Sequence, residues 1–111
     1  MKFHLIFESF KNSANGTDSF KQLKSQCELA IKDPNLELEA SALLLIYSFS
    51  KNYVLLYEDQ EVAPLFAEKV KAQLVGYMTE IDLALSTEDT HLILASLNSV
   101  SKQYIESSRI F

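Results

Sequence analysis

Four breaks divide this chain of 111 residues: Gly16, Asp33-Pro34, Pro64 and the polar run Ser86-Thr87-Glu88-Asp89. Between them apolar side chains recur at helical spacing. Residues three and four apart share one face of an α-helix, so each stretch reads as a helix with a stripe to bury. Such stripes are satisfied against one another. The fold class that follows is all-α, a single antiparallel bundle of four or five helices. A chain this long supports one core and hardly two, so residues 1–111 are expected to form one helical domain.

Residues 1–15 are the ambiguous ones. Phe3, Phe7, Phe10 and Ala14 fall at helical spacing, whereas Phe3, Leu5 and Phe7 alternate as in a strand. Phe10 extends only the helical pattern, which favours helix, and Asn15-Gly16 then offers the left-handed stop that glycine permits. Thr17 or Asp18 is placed to cap a second helix carrying Phe20, Leu23, Cys27, Ala30 and Ile31 on one stripe. Asp33-Pro34 combines an N-cap residue with a proline at the first helical position, so a short turn and a third helix over Pro34–Tyr57 are expected, packed back on the second. Ser50-Lys51-Asn52 could interrupt it. Its inner face would carry Leu36, Ala40, Leu43, Ile46, Phe49, Tyr53 and Leu56.

Pro64 opens the next helix, where Phe66, Val70, Leu74, Tyr77, Met78, Ile81 and Leu85 make the clearest stripe in the chain. Gly76 inside it costs about 1 kcal/mol relative to alanine, which implies a helix crossing closely there. Asp89 can cap the last helix, alone or in a capping box with Ser86, ahead of Leu92, Ile93, Leu97, Val100, Tyr104 and Ile105.

Composition narrows the chemistry. The formal net charge is −5, and Arg109 is the only arginine among ten basic residues. Nucleic-acid affinity rests on basic side chains against phosphate, so direct binding to DNA or RNA is not expected, whereas a basic protein partner is. The stretch Ala42–Tyr57 falls short of the roughly 20 apolar residues needed to cross a bilayer, and the N-terminal run ends too early at Glu8 for a signal peptide. With Cys27 as the only cysteine, no internal disulfide can form. A cytoplasmic location without membrane contact is expected.

His4 and His91 have no second ligand at helical spacing, so no metal site is expected, and no cofactor either. Cys27 would need a histidine brought to it by the fold to act as a nucleophile, and no glycine-rich loop is present to hold a phosphate or an oxyanion. No catalytic residue is assigned. What the chain does concentrate is carboxylate and phenol: Tyr53 and Tyr57 lead into Glu58, Asp59 and Glu61, with Glu68 beyond. Glu80, Asp82, Glu88 and Asp89 bracket the following turn as a second candidate patch. Carboxylates near helix starts also serve the helix dipole. As a surface, acids beside tyrosines would steer and dock a basic protein.

Ala30-Ile31-Lys32-Asp33-Pro34-Asn35 resembles the end of a tetratricopeptide repeat, but the pattern does not recur about 34 residues later, so it marks a turn and not an array. In size, acidity and helicity the whole chain is similar to the small all-helical immunity proteins that bacteria make against their own toxins, in colicin-like and contact-dependent inhibition systems. That resemblance implies a cytosolic protein without enzymatic activity that covers the active cleft of a basic, nuclease-like toxin with carboxylates and tyrosines. An intracellular helical adaptor or chaperone, binding a partner through an apolar groove, is the alternative. A small helical enzyme, with His4, His91 or Cys27 converging in one pocket, is third.

Overall fold

In the computed structural model, which describes every residue but Arg109, the chain forms five helices: α1 (Lys2–Lys11), α2 (Thr17–Ile31), α3 (Ala40–Tyr57), α4 (Pro64–Ser86) and α5 (Thr90–Glu106). No strand occurs among the described residues, so residues 1–15 resolve in favour of helix. The expected all-α bundle is the fold. The pair α2 and α3 packs most extensively, α5 lies along α4, and α1 touches both α2 and α4. Phe20 near the start of α2 stacks on Tyr53 near the end of α3, with ring centroids 3.8 Å apart, and Phe10 at the end of α1 meets Phe20 edge-on at 5.3 Å. These end-to-start contacts make neighbours antiparallel. Among the described residues, no helix is long and apolar enough to cross a membrane.

The expected stripes do form the core. Phe20, Leu23 and Cys27 of α2, Leu43 and Ile46 of α3, and Val70, Leu74, Met78 and Ile81 of α4 are buried together. Phe49 gathers a second aromatic group from the far end of the chain: Tyr77, Tyr104 and Phe111 lie 5.7, 4.7 and 5.2 Å from its ring. Two stripes run narrower than expected, because Leu56 of α3 and Leu92 and Ile105 of α5 are about half exposed.

Several local expectations are corrected. Helix α1 stops at Lys11, before Asn15-Gly16, and Gly16 instead precedes α2 with φ +122°, a backbone region that only glycine enters cheaply. Neither Thr17 nor Asp18 caps α2, whose N-cap is Gly16. The third helix begins at Ala40 and not at Pro34. Asp33 accepts a bond from the Asn35 N–H at 2.9 Å, closing an Asx turn, and its carboxylate also pairs with Lys2 at 2.6 Å. Glu39, buried just before α3, accepts the Phe3 N–H at 2.7 Å and so satisfies a free donor at the start of α1. Tertiary anchors at both ends hold residues 32–39 as a loop. No break interrupts α3, where the Ser50 hydroxyl bonds the carbonyls of Ile46 and Tyr47 without ending the helix. At Gly76 an added Cβ would meet nothing within 4 Å, so no crossing helix explains that glycine. Asp89 caps α5 as expected, accepting from the His91 and Leu92 N–H groups, while Ser86 bonds Leu83 and takes no part.

Candidate functional site: an acidic end of the bundle

The antiparallel order brings the α1–α2 loop and the α3–α4 connector to one end. Between them lies a cleft of about 380 Å³, with Asn15, Gly16 and Thr17 on one side and Gln60, Val62 and Pro64 on the other. Glu58, Asp59 and Glu61 sit on the connector and are exposed, and Glu68 is exposed on the second turn of α4. Glu58 pairs with Lys21 at 2.5 Å. The Glu58 hydrogen bond is the main cause that holds the Lys21 ammonium above its ordinary pKa, and Asp18 and Asp59 add to it. Asp18, in the first turn of α2, is thus part of this acidic end. Sequence reasoning treated it only as a possible cap, since nothing in the linear pattern brings it to Glu58 some forty positions away. Among the described residues, Asp59, Glu61 and Glu68 form no ion pair.

The tyrosines divide. Tyr57 is half-buried, its ring against Tyr53 at 4.8 Å and Phe66 at 5.3 Å, so only an edge of it reaches the acidic surface. Tyr53 was expected at the same surface and is instead wholly inside, 0 % exposed and stacked on Phe20. A docked partner does not reach its ring. Its hydroxyl finds no hydrogen-bond partner among the described residues. Burial pushes the phenol pKa up, and this outweighs the opposing influence of the neighbouring Thr17 side chain, which stands short of hydrogen-bond geometry.

The second candidate patch does not assemble into one surface. Glu80 accepts from the Gln103 amide at 2.7 Å and so faces α5, while Asp82 meets His4 of α1 at 2.9 Å. Two residues apart on a helix point in nearly opposite directions. Glu88 carries a positive φ of 57° in the turn, and Asp89 is spent as the cap of α5. Glu80 and Asp82 thus each face a neighbouring helix, and Asp89 serves the start of its own.

His4, His91 and Cys27 do not converge. His4 pairs with Asp82 at the start of α1, His91 is exposed on the first turn of α5, and Cys27 is buried in α2. Burial pushes the Cys27 thiol up to about 12, so it is a protonated, inert core side chain at neutral pH. Among the described residues, no group of three or more His, Cys, Asp or Glu side chains is placed to hold a metal ion.

A different surface feature escaped the sequence reading. Leu5 of α1 and Leu29 of α2 are each 70 % exposed and flank an apolar cleft of about 280 Å³ with Lys2, Ile6, Gln26 and Ala30. Both leucines lie outside the helical stripes, so periodicity alone counts them as scattered surface residues. Lys71 was also missed: it is 8 % exposed, donates to the Ser13 carbonyl and lies 5.6 Å from the Phe10 ring centroid. No family model, curated protein or solved structure matches the chain.

Proposed function

We propose that the chain is a noncatalytic binding protein of the immunity type, which neutralises a basic, nuclease-like toxin by laying its acidic end over the toxin's active cleft. The observation that supports this reading is the set of exposed carboxylates Asp59, Glu61 and Glu68, which make no ion pair among the described residues and so contribute little to the fold. Together with Asp18 and Glu58 they present negative charge at one end of the bundle, the arrangement that speeds association with an oppositely charged protein. Tyr57 adds an aromatic edge beside them. The toxin partner, a cytoplasmic location and the absence of catalysis all belong to this proposal.

The experiment is to isolate the partner by crosslinking in the native cell and to measure association with the purified pair across ionic strength. This reading expects a basic partner whose association rate falls steeply with salt, because surface charges are screened beyond about 8 Å at physiological ionic strength. A rate insensitive to salt would instead favour the adaptor reading, for which the Leu5–Leu29 cleft is the supporting observation.

A further inference from the structure

Helix α4 is apolar on two faces. Val70, Leu74, Met78, Ile81 and Leu85 face the core, and along the opposite side run Leu65, Ala72, Gly76, Thr79 and Leu83, all exposed. At 3.6 residues per turn Leu65 and Leu83 are about five whole turns apart, so they point the same way, and Ala72 and Gly76 fall within roughly 20° of that line. Leu65 is 81 % exposed and Leu83 66 %. The Thr79 hydroxyl bonds the Val75 carbonyl at 2.7 Å, so its polar atom is spent on its own helix. Helix α5 lies to one side of this line, where Glu80 meets Gln103, and α1 to the other, where Asp82 meets His4. The line itself is uncovered, and nothing stands within 4 Å of a Cβ added at Gly76.

A leucine at each end with small side chains between complements its own reverse. Laid antiparallel about a two-fold axis at the height of Leu74, two copies of α4 set Leu65 on Leu83 and Ala72 on Gly76, each pairing made twice. The small residues then stand at the centre, where two backbones approach closely. Charge agrees with this register. Each flank meets the same flank of the other copy, and Lys69 and Glu80, about three turns apart on the α5 side, come opposite one another. Lys69 forms no ion pair among the described residues, and Glu80 keeps one carboxylate oxygen beyond its bond to Gln103. On the other flank Glu68 comes opposite the uncharged Thr79. A parallel pairing would instead bring Lys69 beside Lys69, and like charges repel.

From this we infer that the outer face of α4 is a self-association surface, on which a second copy of the chain docks antiparallel with Leu65 on Leu83. The stripe is about 30 Å long and a helix about 10 Å wide, so the contact covers about 600 Å² in total, roughly half of what a stable dimer needs. The dimer is therefore transient and forms as concentration rises. It goes beyond the proposed function and does not depend on it, because the Pro64 ends of the two helices point apart and leave Asp59 and Glu61 of both copies free.

The test introduces Leu65→Cys and Leu83→Cys together into the full chain. The two positions are about 27 Å apart along one helix, far beyond disulfide reach, so a link between them joins two copies. Cys27 is buried and does not compete. The expected result under mild oxidation is a dimer linked 65 to 83, formed about tenfold faster than with either single variant, because docking raises the local concentration of the two thiols. Adding Lys69→Glu should slow the link severalfold, and adding Glu80→Lys to that variant should restore it, with circular dichroism confirming that each variant keeps its helices. Equal rates for the double and single variants would overturn the inference, as would a link indifferent to both charge reversals. If no dimer forms while Leu65→Lys and Leu83→Lys abolish binding of the basic partner, this face belongs to that partner and self-association is wrong.

Discussion

The buried polar groups are where single residues decide most. Tyr53 fills the space between Phe20 and Tyr57 as a core aromatic, yet carries a hydroxyl with no partner among the described residues. Its ring contributes by packing and its oxygen subtracts. Tyr53→Phe should therefore leave the unliganded protein as stable or raise its stability by up to about 1–3 kcal/mol, measured by urea unfolding. A clear loss would mean that the hydroxyl is satisfied in solution. Lys71 is the converse case, a buried cation that keeps one bond, to Ser13, and lies on Phe10. Burial lowers its pKa from 10.5. A lysine whose folded pKa is depressed binds fewer protons than the unfolded chain in the interval between the folded value and 10.5, so the folded state gains stability as pH rises through that interval. The stability difference between Lys71→Met and the parent should shift towards the parent from neutral pH to about pH 10. A difference that is flat with pH would show that Lys71 is solvated like a surface lysine.

At the scale of helices, the hydrophobic spacing carried most of the information and the ends carried least. The stripe Val70, Leu74, Met78, Ile81 and Leu85 was legible because a period of 3.6 leaves these residues no other common face, and all five are buried. Asp33-Pro34 misled because its signal for a helix start is local. The Lys2–Asp33 pair and the Glu39 bond to Phe3 are long-range contacts that keep residues 32–39 out of helix, and no window of sequence contains both partners. Glu39→Gln weakens the charge offered to the start of α1 and Glu39→Ala removes it, so the alanine variant should lose about 0.5–2 kcal/mol and fray α1 first, seen as faster amide exchange at Phe3 and its neighbours. Gly76 failed in the other direction. The glycine looked like the mark of a close crossing, but its face of α4 is open, so Gly76→Ala should stabilise the protein by about 0.5–1 kcal/mol. A destabilised Gly76→Ala would restore the crossing that the structure lacks. The candidate site was half-legible for the same reason: the run Glu58, Asp59, Glu61 is contiguous and could be read, whereas Asp18 joins it, and Tyr53 leaves it, only through the packing of α2 on α3.

For the whole molecule, the division of labour between fold and surface is the point at issue. The core is continuous from Phe3 to Phe111 and draws on all five helices, so truncating its centre should be felt globally. Leu74→Ala, at a fully buried position of α4, should cost about 2–5 kcal/mol and lower the unfolding midpoint as a single transition. The acidic end stands apart from that core. Apart from Glu58, which pairs with Lys21 of α2, its exposed carboxylates make no ion pair among the described residues, in contrast to Asp82, Asp89 and Glu39, each of which holds a helix in place. The measurement that tests the account most directly is the triple variant Asp59→Asn, Glu61→Gln, Glu68→Gln, compared with the parent for partner dissociation rate and for thermal unfolding. The account predicts an unchanged or slightly raised melting temperature together with a loss of binding of about 2–5 kcal/mol, as expected when charge pairs at an interface are removed. Affinity within about twofold of the parent, a difference of less than 0.5 kcal/mol by the usual conversion of free energy to binding constant, would contradict it and remove this end of the bundle from the interface.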